Sequence, residues 1–357
     1  MTTYYYGYEA LGELAYEDDT AGSAYGTAVS TAGSFQSFSW LRSANISVNP
    51  HVVADWNISG GKNRTLDKYH KEYVESSGNL VYWIPKDFDA SPADDIWLAK
   101  LGLDAYNVAP DGATILVPLA NYGSFELLGF TLELGHNKTG SIRAHVLSGC
   151  AVDSFTCRAR SGAPVEFTMD FPIKTVSLCT TGFTSGSVSR STAEPVDWSD
   201  CVVYYADDAT AGVTATAVVE FEFTINNNLE PRYDLNDSST KEFNRIIVGR
   251  KEISGRMTVD LTTNSGLVFW DALTNDATAP YTPQTTAEMK ELGLRIGTAT
   301  QGFDWRFRDV ALTEIPMDID PTTVQQLTIP WTSGYCTLAI NTLCTALNTP
   351  NLWDLQA

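Results

Sequence analysis

The run Glu75-Ser76-Ser77-Gly78 returns as Glu252-Ile253-Ser254-Gly255, and its surroundings return with it. At the offset this fixes (252 − 75 = 177), Ala44, Ile46 and Val48 fall on Phe221, Phe223 and Ile225. Leu80, Tyr82 and Ile84 fall on Met257, Val259 and Leu261. Apolar residues keep every second place, which is the period of a β-strand. The match resumes after a loop, residues 128–132 with 292–296 (offset 164) and 167–171 with 327–331 (offset 160). We read this as a diverged internal duplication. A doubled all-β unit points to ring-building geometry rather than to an active site.

The 357 residues suffice for two sizeable cores. Abundant Thr, Ser, Gly, Val and aromatic residues in short alternating runs argue for an all-β fold with short helices. We expect an N-terminal arm (1–35) that orders only against a neighbour, a first unit (36–180), a linker with little structure of its own (181–216), a second unit (217–335) and a C-terminal tail (336–357). Each unit opens on a strand (38–49, 218–226), makes a long polar excursion, and returns (80–84, 256–261). One short helix follows in each. Ser91-Pro92 is a good start for the first, with Ser as N-cap and Pro at N1, and Trp97 on its apolar face; Phe269-Trp270 lies in the second. Each unit ends on a hairpin (145–156 with 164–171, 307–315 with 323–331).

Acidic residues outnumber basic ones, 43 to 23, for a net charge of −20. Such a chain repels nucleic-acid phosphate on average, which is useful where DNA must pass without sticking. Low lysine with many Asp and Thr also fits a high-salt organism. No basic region followed by an apolar run opens the chain, and no run of about 18 apolar residues exists, so we expect no signal peptide and no membrane span. The six cysteines have no CxxC spacing and read as buried thiols, although Cys336 and Cys344 could pair across adjacent strands.

No catalytic or metal motif is legible. The four histidines form no HExxH, and neither GxSxG nor a P-loop is present. Asp94-Asp95 and Asp207-Asp208 are adjacent pairs explained by a helix start and a solvated loop. We expect no enzyme and no cofactor. One strand does carry physics: in residues 220–225 carboxylates alternate with apolar residues, so one face enters a core and the other is acidic. In the first unit the matching outward residues, Asn45, Ser47 and Asn49, are neutral.

The doubled hairpin, the block Gly149-Cys150-Ala151-Val152 … Gly162-Ala163-Pro164-Val165-Glu166-Phe167 and the stretch Asn226-Asn227-Asn228-Leu229-Glu230-Pro231-Arg232-Tyr233 … Gly249-Arg250-Lys251-Glu252-Ile253-Ser254-Gly255 together resemble major tail tube proteins of tailed viruses. The acidic balance suggests a virus of a halophilic archaeon. The resemblance implies β-sandwich units whose sheets join edge to edge into a closed inner β-barrel, and rings that stack into a tube for viral double-stranded DNA. It implies a location in the virion tail, assembly in the host cytoplasm, contact with other tail proteins at the tube ends, and no membrane. Two units per chain would give a homotrimeric ring with pseudo-sixfold symmetry, a hexamer being the alternative. Glu220, Glu222 and Asp260 would then face the lumen. Lys62, Arg64, Lys68, Lys241, Arg245, Arg250 and Lys251 would lie in the two excursions and meet acidic surfaces of adjacent rings. A tail hub or baseplate protein, or a carbohydrate-binding β-sandwich using Tyr4-Tyr5-Tyr6 and Tyr204-Tyr205, are the competing readings.

Overall fold

The computed structural model describes residues 10–17, 26–30, 35–55, 68–86, 105–107, 115–118, 129–138, 141–179, 182–184, 193–206, 213–214, 217–233, 242–260, 288–297, 302–313 and 326–340. They are all-β. The first half holds β1 (Ala10–Tyr16), β2 (Gln36–Ser37), β3 (Trp40–Asp55), β4 (Lys68–Trp83), β5 (Ala105–Asn107), β6 (Ile115–Pro118), β7 (Phe130–Lys138), β8 (Ser141–Cys150), β9 (Ser154–Arg160), β10 (Glu166–Pro172) and β11 (Thr175–Cys179). The second holds β12 (Cys201–Ala206), β13 (Val213–Thr214), β14 (Val218–Asn226), β15 (Leu229–Arg232), β16 (Arg245–Val248), β17 (Glu252–Asp260), β18 (Glu288–Gly297), β19 (Gly302–Leu312) and β20 (Gln326–Ile340). The expected helices near 91–101 and 267–273 lie outside the described residues. Among those described, the helical piece is a 3-10 turn, Trp198–Asp200.

Seven strands form one antiparallel row, β3-β4-β10-β9-β14-β17-β20, within a 13-stranded sheet. A five-stranded sheet, β11-β8-β7-β1-β2, packs on the first half of the row. In the second half β20 is long enough to serve both layers. Its first part pairs with β17 and its remainder with β19, beyond which lie β18, β12 and β13. The row is apolar on the side facing these outer strands. Phe221, Phe223 and Ile225 of β14 are buried, and Phe223 meets Trp305 at 4.9 Å. Phe155 of β9 also stacks on Trp305, at 5.5 Å, so the two halves share one continuous core.

The two halves repeat their pairings register by register. Adding 177 to both strands carries each β3–β4 pair from Leu41↔Tyr82 to Asn49↔Glu75 onto a β14–β17 pair, including the irregularity after Leu41, which recurs after Val218. Adding 177 and 160 carries all six β4–β10 pairs, such as Leu80↔Met169, onto β17–β20 pairs such as Met257↔Ile329. The outer strands follow at 160: Leu132↔Leu147 becomes Leu292↔Phe307, and Leu178↔His145 becomes Leu338↔Trp305. The offset of 164 expected around residue 128 is therefore corrected to 160.

Five expectations differ from this ladder. Residues 10–16 do not wait for a neighbour: β1 pairs with β7 inside the five-stranded sheet. The segment 181–216 is more than a linker, because β12 pairs with β18 in the large sheet. At an offset of 191 (201 − 10 = 191), β1 and β12 hold the same register, Leu14↔Leu132 against Tyr205↔Leu292. The expected tail beginning at 336 is the continuation of β20 to Ile340, with Cys336 buried. Cys344 lies outside the described residues. The expected strand 145–156 is two strands, β8 and β9, with Ala151, Val152 and Asp153 crossing from one sheet to the other. The first excursion proves to be mostly hairpin, since β3 and β4 stay paired as far as Asp55↔Lys68.

The shared glycine now has a physical reason. The Phe171 ring lies across Gly78 and the Trp331 ring across Gly255, so a Cβ would fall 2.3 Å and 2.2 Å from ring atoms. Each half thus repeats a glycine under an aromatic ring from the next strand (Gly78↔Phe171, Gly255↔Trp331).

A buried carboxylate ties the end of β1 to Gly26, Thr131 and Gly149. Glu17 accepts from the Gly26 N–H (2.7 Å), the Gly149 N–H (2.6 Å) and the Thr131 hydroxyl (2.9 Å). Burial raises the Glu17 pKa, and these three hydrogen bonds together with Lys174 oppose the rise. A carboxyl whose folded pKa is raised takes up a proton on folding, so its contribution is largest below the unfolded pKa and is lost as pH rises through the folded one. In denaturant unfolding, the wild type should lose stability relative to a Glu17→Gln chain across that interval and run parallel to it above. Parallel curves throughout would exclude this role for Glu17.

Candidate lumen face and stacking loops

The polar side of the row is built by the same alternation that buries its other side. Transverse ladders run across it: Val81-Thr168-Thr156-Thr224-Ser254-Thr332, and next to it Asn45-Asn79-Asp170-Ser154-Asn226-Glu252. Thr156 and Thr224 share a hydrogen bond of 2.9 Å, and Asn79 donates to Asp170 at 2.7 Å. Glu220, Glu222 and Asp260 alternate with buried Phe221, Phe223 and Val259, so all three fall on this polar side.

The two glutamates are not a bare acidic strip. Arg158 of β9 lies 2.6 Å from Glu220 and 3.5 Å from Glu222, while Arg256 of β17 lies 2.8 Å from Glu222 and 4.0 Å from Glu220. Two guanidiniums and two carboxylates make a lattice of no net formal charge across β9, β14 and β17. The hydrogen bond and charge of Glu222 raise the Arg256 pKa further above its usual value. Single exposed ion pairs contribute about 0–1 kcal/mol, but here each carboxylate serves two partners, so the members are coupled. A double-mutant cycle on Arg158→Met and Glu222→Gln should show a coupling above about 0.5 kcal/mol; strict additivity would mean that the lattice is only a surface coincidence. Residues 154–160 alternate legibly, with Phe155, Cys157 and Ala159 inside and Thr156, Arg158 and Arg160 outside. The pairing of Arg158 with Glu220 was hidden, because it requires β9 to lie beside β14.

Of the expected stacking residues, Lys62, Arg64 and Lys241 lie outside the described residues. Lys68 opens β4 opposite Asp55. Arg245 is exposed on β16 opposite Arg232, and Arg250 and Lys251 lead into β17, the first exposed and the second half-buried. The structure brings the two excursions together in a way the sequence reading missed. Tyr233 donates to the Val74 carbonyl at 3.2 Å and packs on Tyr73 at 4.8 Å. His51 stacks on Tyr73 at 4.0 Å and contacts Glu75 at 3.0 Å. The β3–β4 hairpin and the β15–β16 hairpin therefore leave the same end of the row and touch.

The stretch Asn226-Asn227-Asn228 is the corner that turns β14 into β15. Asn228 adopts φ of 51°, a left-handed conformation that Asn tolerates. Its N–H donates to the Asn226 side chain at 2.9 Å, and its own amide donates to the Arg250 carbonyl at 2.6 Å. Buried Asn227 donates to the Val152 carbonyl at 2.8 Å, tying the corner to the first half.

Tyr204 is not an exposed aromatic platform. It is buried across Gly293, and its hydroxyl donates to the Asp304 carboxylate, which Arg306 also meets at 3.2 Å. Among the described residues no group of three or more His, Cys, Asp or Glu converges in a way that could hold a metal ion.

Residues 10–332 match the family model described as phage tail tube protein, and the chain belongs to that family. Membership makes it a structural protein of the virion tail. Among curated proteins the chain has no match.

Proposed function

We propose that the chain is a major tail tube subunit made of two duplicated tube-fold units, 10–179 and 201–340, already joined edge to edge through β9 and β14. Chains join in the same manner through β3, closing a ring whose inner wall is the row and its copies. Two units per chain favour three chains per ring, with six as the alternative. Stacked rings form the conduit for viral DNA, with the polar face of the row lining it. The boundaries replace the arm and linker of the sequence reading, because the shared register of β1 and β12 supports counting both as the first strand of a unit.

One observation carries this reading. Ile225 is 0% exposed because β9 lies beside β14, whereas its counterpart Val48 on β3 is 48% exposed. Among the described residues no strand lies on the outer side of β3. A long edge strand that leaves an apolar residue uncovered, as β3 leaves Val48, is a standing association site. The repeated pairings favour a duplicated unit, since both hairpins, both outer layers and one irregularity recur in register.

On this reading the conduit repels DNA less through its walls than the sequence suggested. Arg158 and Arg256 neutralise Glu220 and Glu222, so the wall at the β9–β14 seam presents hydroxyls, amides and paired charges. Electron microscopy of the purified chain tests the proposal: stacked rings or tubes are expected, and isolated particles at all concentrations would refute it.

A further inference from the structure

Within the chain, β9 is the strand that covers β14, pairing Ile225↔Phe155, Phe223↔Cys157 and Phe221↔Ala159. It starts from a fixed point: the Asp153 N–H donates to the Asp170 carbonyl at 2.8 Å, and the chain returns at Glu166 to open β10. The second half repeats both ends. The Thr313 N–H donates to the Pro330 carbonyl at 3.1 Å, and the chain returns at Gln326 to open β20. The two bonds are related by the offset of 160 (313 − 153 = 160, 330 − 170 = 160). The stretch between is equally long in each half, 154–165 and 314–325 (165 − 153 = 12, 325 − 313 = 12).

Residues 314–325 lie outside the described residues, and their sequence carries the pattern of β9. Ile315, Met317 and Ile319 stand where β9 has Phe155, Cys157 and Ala159, and Glu314, Asp318 and Asp320 alternate with them. This is period two, with one side for a core and the other for water. Pro316 removes one backbone donor, a loss that edge strands accommodate. The place for such a strand is open at the far end of the row. Residues 326–330 of β20 pair with β17 on one side, and among the described residues no strand lies on the other. In β10 the corresponding side, along residues 166–170, is the one that β9 occupies.

We propose that residues 314–320 of one copy pair antiparallel with β3 of the next copy, in the register of β9 on β14. Subtracting 177 from β14 and adding 160 to β9 puts Val48 opposite Ile315, Ile46 opposite Met317 and Asn45 opposite Asp318. This rests on the tube reading and names the partner of its open edge. The two seams then differ in charge. Arg158 and Arg160 face Glu222 and Glu220 within a chain, whereas Asp318 and Asp320 face Asn45 and Ser43 between chains. The test uses the full chain, with each variant checked for wild-type thermal unfolding. Asn45→Glu sets a carboxylate against Asp318 and should raise the protein concentration needed for rings about 5-fold. Adding Asp318→Arg recreates the Arg158–Glu222 pair and should return that concentration to the wild-type range. A chain carrying both Asn45→Cys and Asp318→Cys should oxidise in air to covalent multimers that neither single variant forms. Rings from Asn45→Glu chains at the wild-type concentration, with no covalent multimers, would overturn the pairing while leaving the tube reading intact. Weakened rings that Asp318→Arg does not restore would overturn it too, by showing that Asn45 faces another group. If the wild-type chain makes neither rings nor tubes, the tube reading fails and the pairing goes with it.

Discussion

Replacing Val48 by lysine should abolish ring formation and leave the subunit folded. Val48 is 48% exposed on β3 in the single chain, so a surface substitution there should move subunit stability by no more than about 0.5 kcal/mol. In the proposed ring the same position is covered by the next chain, as Ile225 is covered by β9. An inward-pointing lysine on an edge strand is what natural proteins use to prevent such pairing. The counterpart Ile225→Lys should behave in the opposite way: at 0% exposure it buries a charge inside the subunit and should cost several kcal/mol of subunit stability. Analytical ultracentrifugation and thermal unfolding of both variants read the two effects separately. Rings from Val48→Lys chains at wild-type concentrations would show that β3 is not the closing edge.

The second large effect is expected at Gly255. A Cβ there would lie 2.2 Å from the Trp331 ring and 2.5 Å from the Glu222 carbonyl oxygen, and the latter is backbone inside a three-strand ladder that cannot retreat. Gly255→Ala should therefore cost the upper end of the about 1–3 kcal/mol typical of overpacking, or more. Gly78→Ala should cost less, because the atoms its Cβ would meet belong to the Phe171 and Ile46 side chains, which can shift. Denaturant midpoints of the two variants give the order directly. Equal costs would mean that the ring over the glycine, and not the backbone behind it, sets the penalty.

These predictions trace which parts of the fold the sequence exposed. Strand β14 was legible residue by residue, because one face meets a core and the other meets solvent, so Phe221, Phe223 and Ile225 alternate with Glu220, Glu222 and Thr224. The Glu-x-Ser-Gly echo was legible because both glycines lie under an aromatic ring from the next strand, where an added Cβ fits only if its neighbours move. Strands β1 and β12 were invisible. In β1, Gly12, Glu13, Leu14 and Ala15 are buried in succession, and a strand covered on both faces shows no alternation; in β12, Cys201 to Ala206 are apolar or aromatic throughout although Val202 is exposed, so no alternation shows there either. Their equivalence lies in register, and the sequences share almost no residue types. The error from 160 to 164 has a related cause: a shift of four residues preserves the period of two, so side-chain alternation cannot detect it. The lattice of Arg158 and Arg256 around Glu220 and Glu222 depends on β9 lying against β14, a neighbour relation between the halves that no local pattern encodes.

The most direct test of the account is a reconstruction of the assembled ring at a resolution that separates strands. It should show three chains, each contributing both of its halves to one continuous inner wall, with β3 of each chain paired antiparallel to its neighbour as β14 is to β9. A wall built from one half of each chain, or a ring in which β3 remains unpaired, would contradict it.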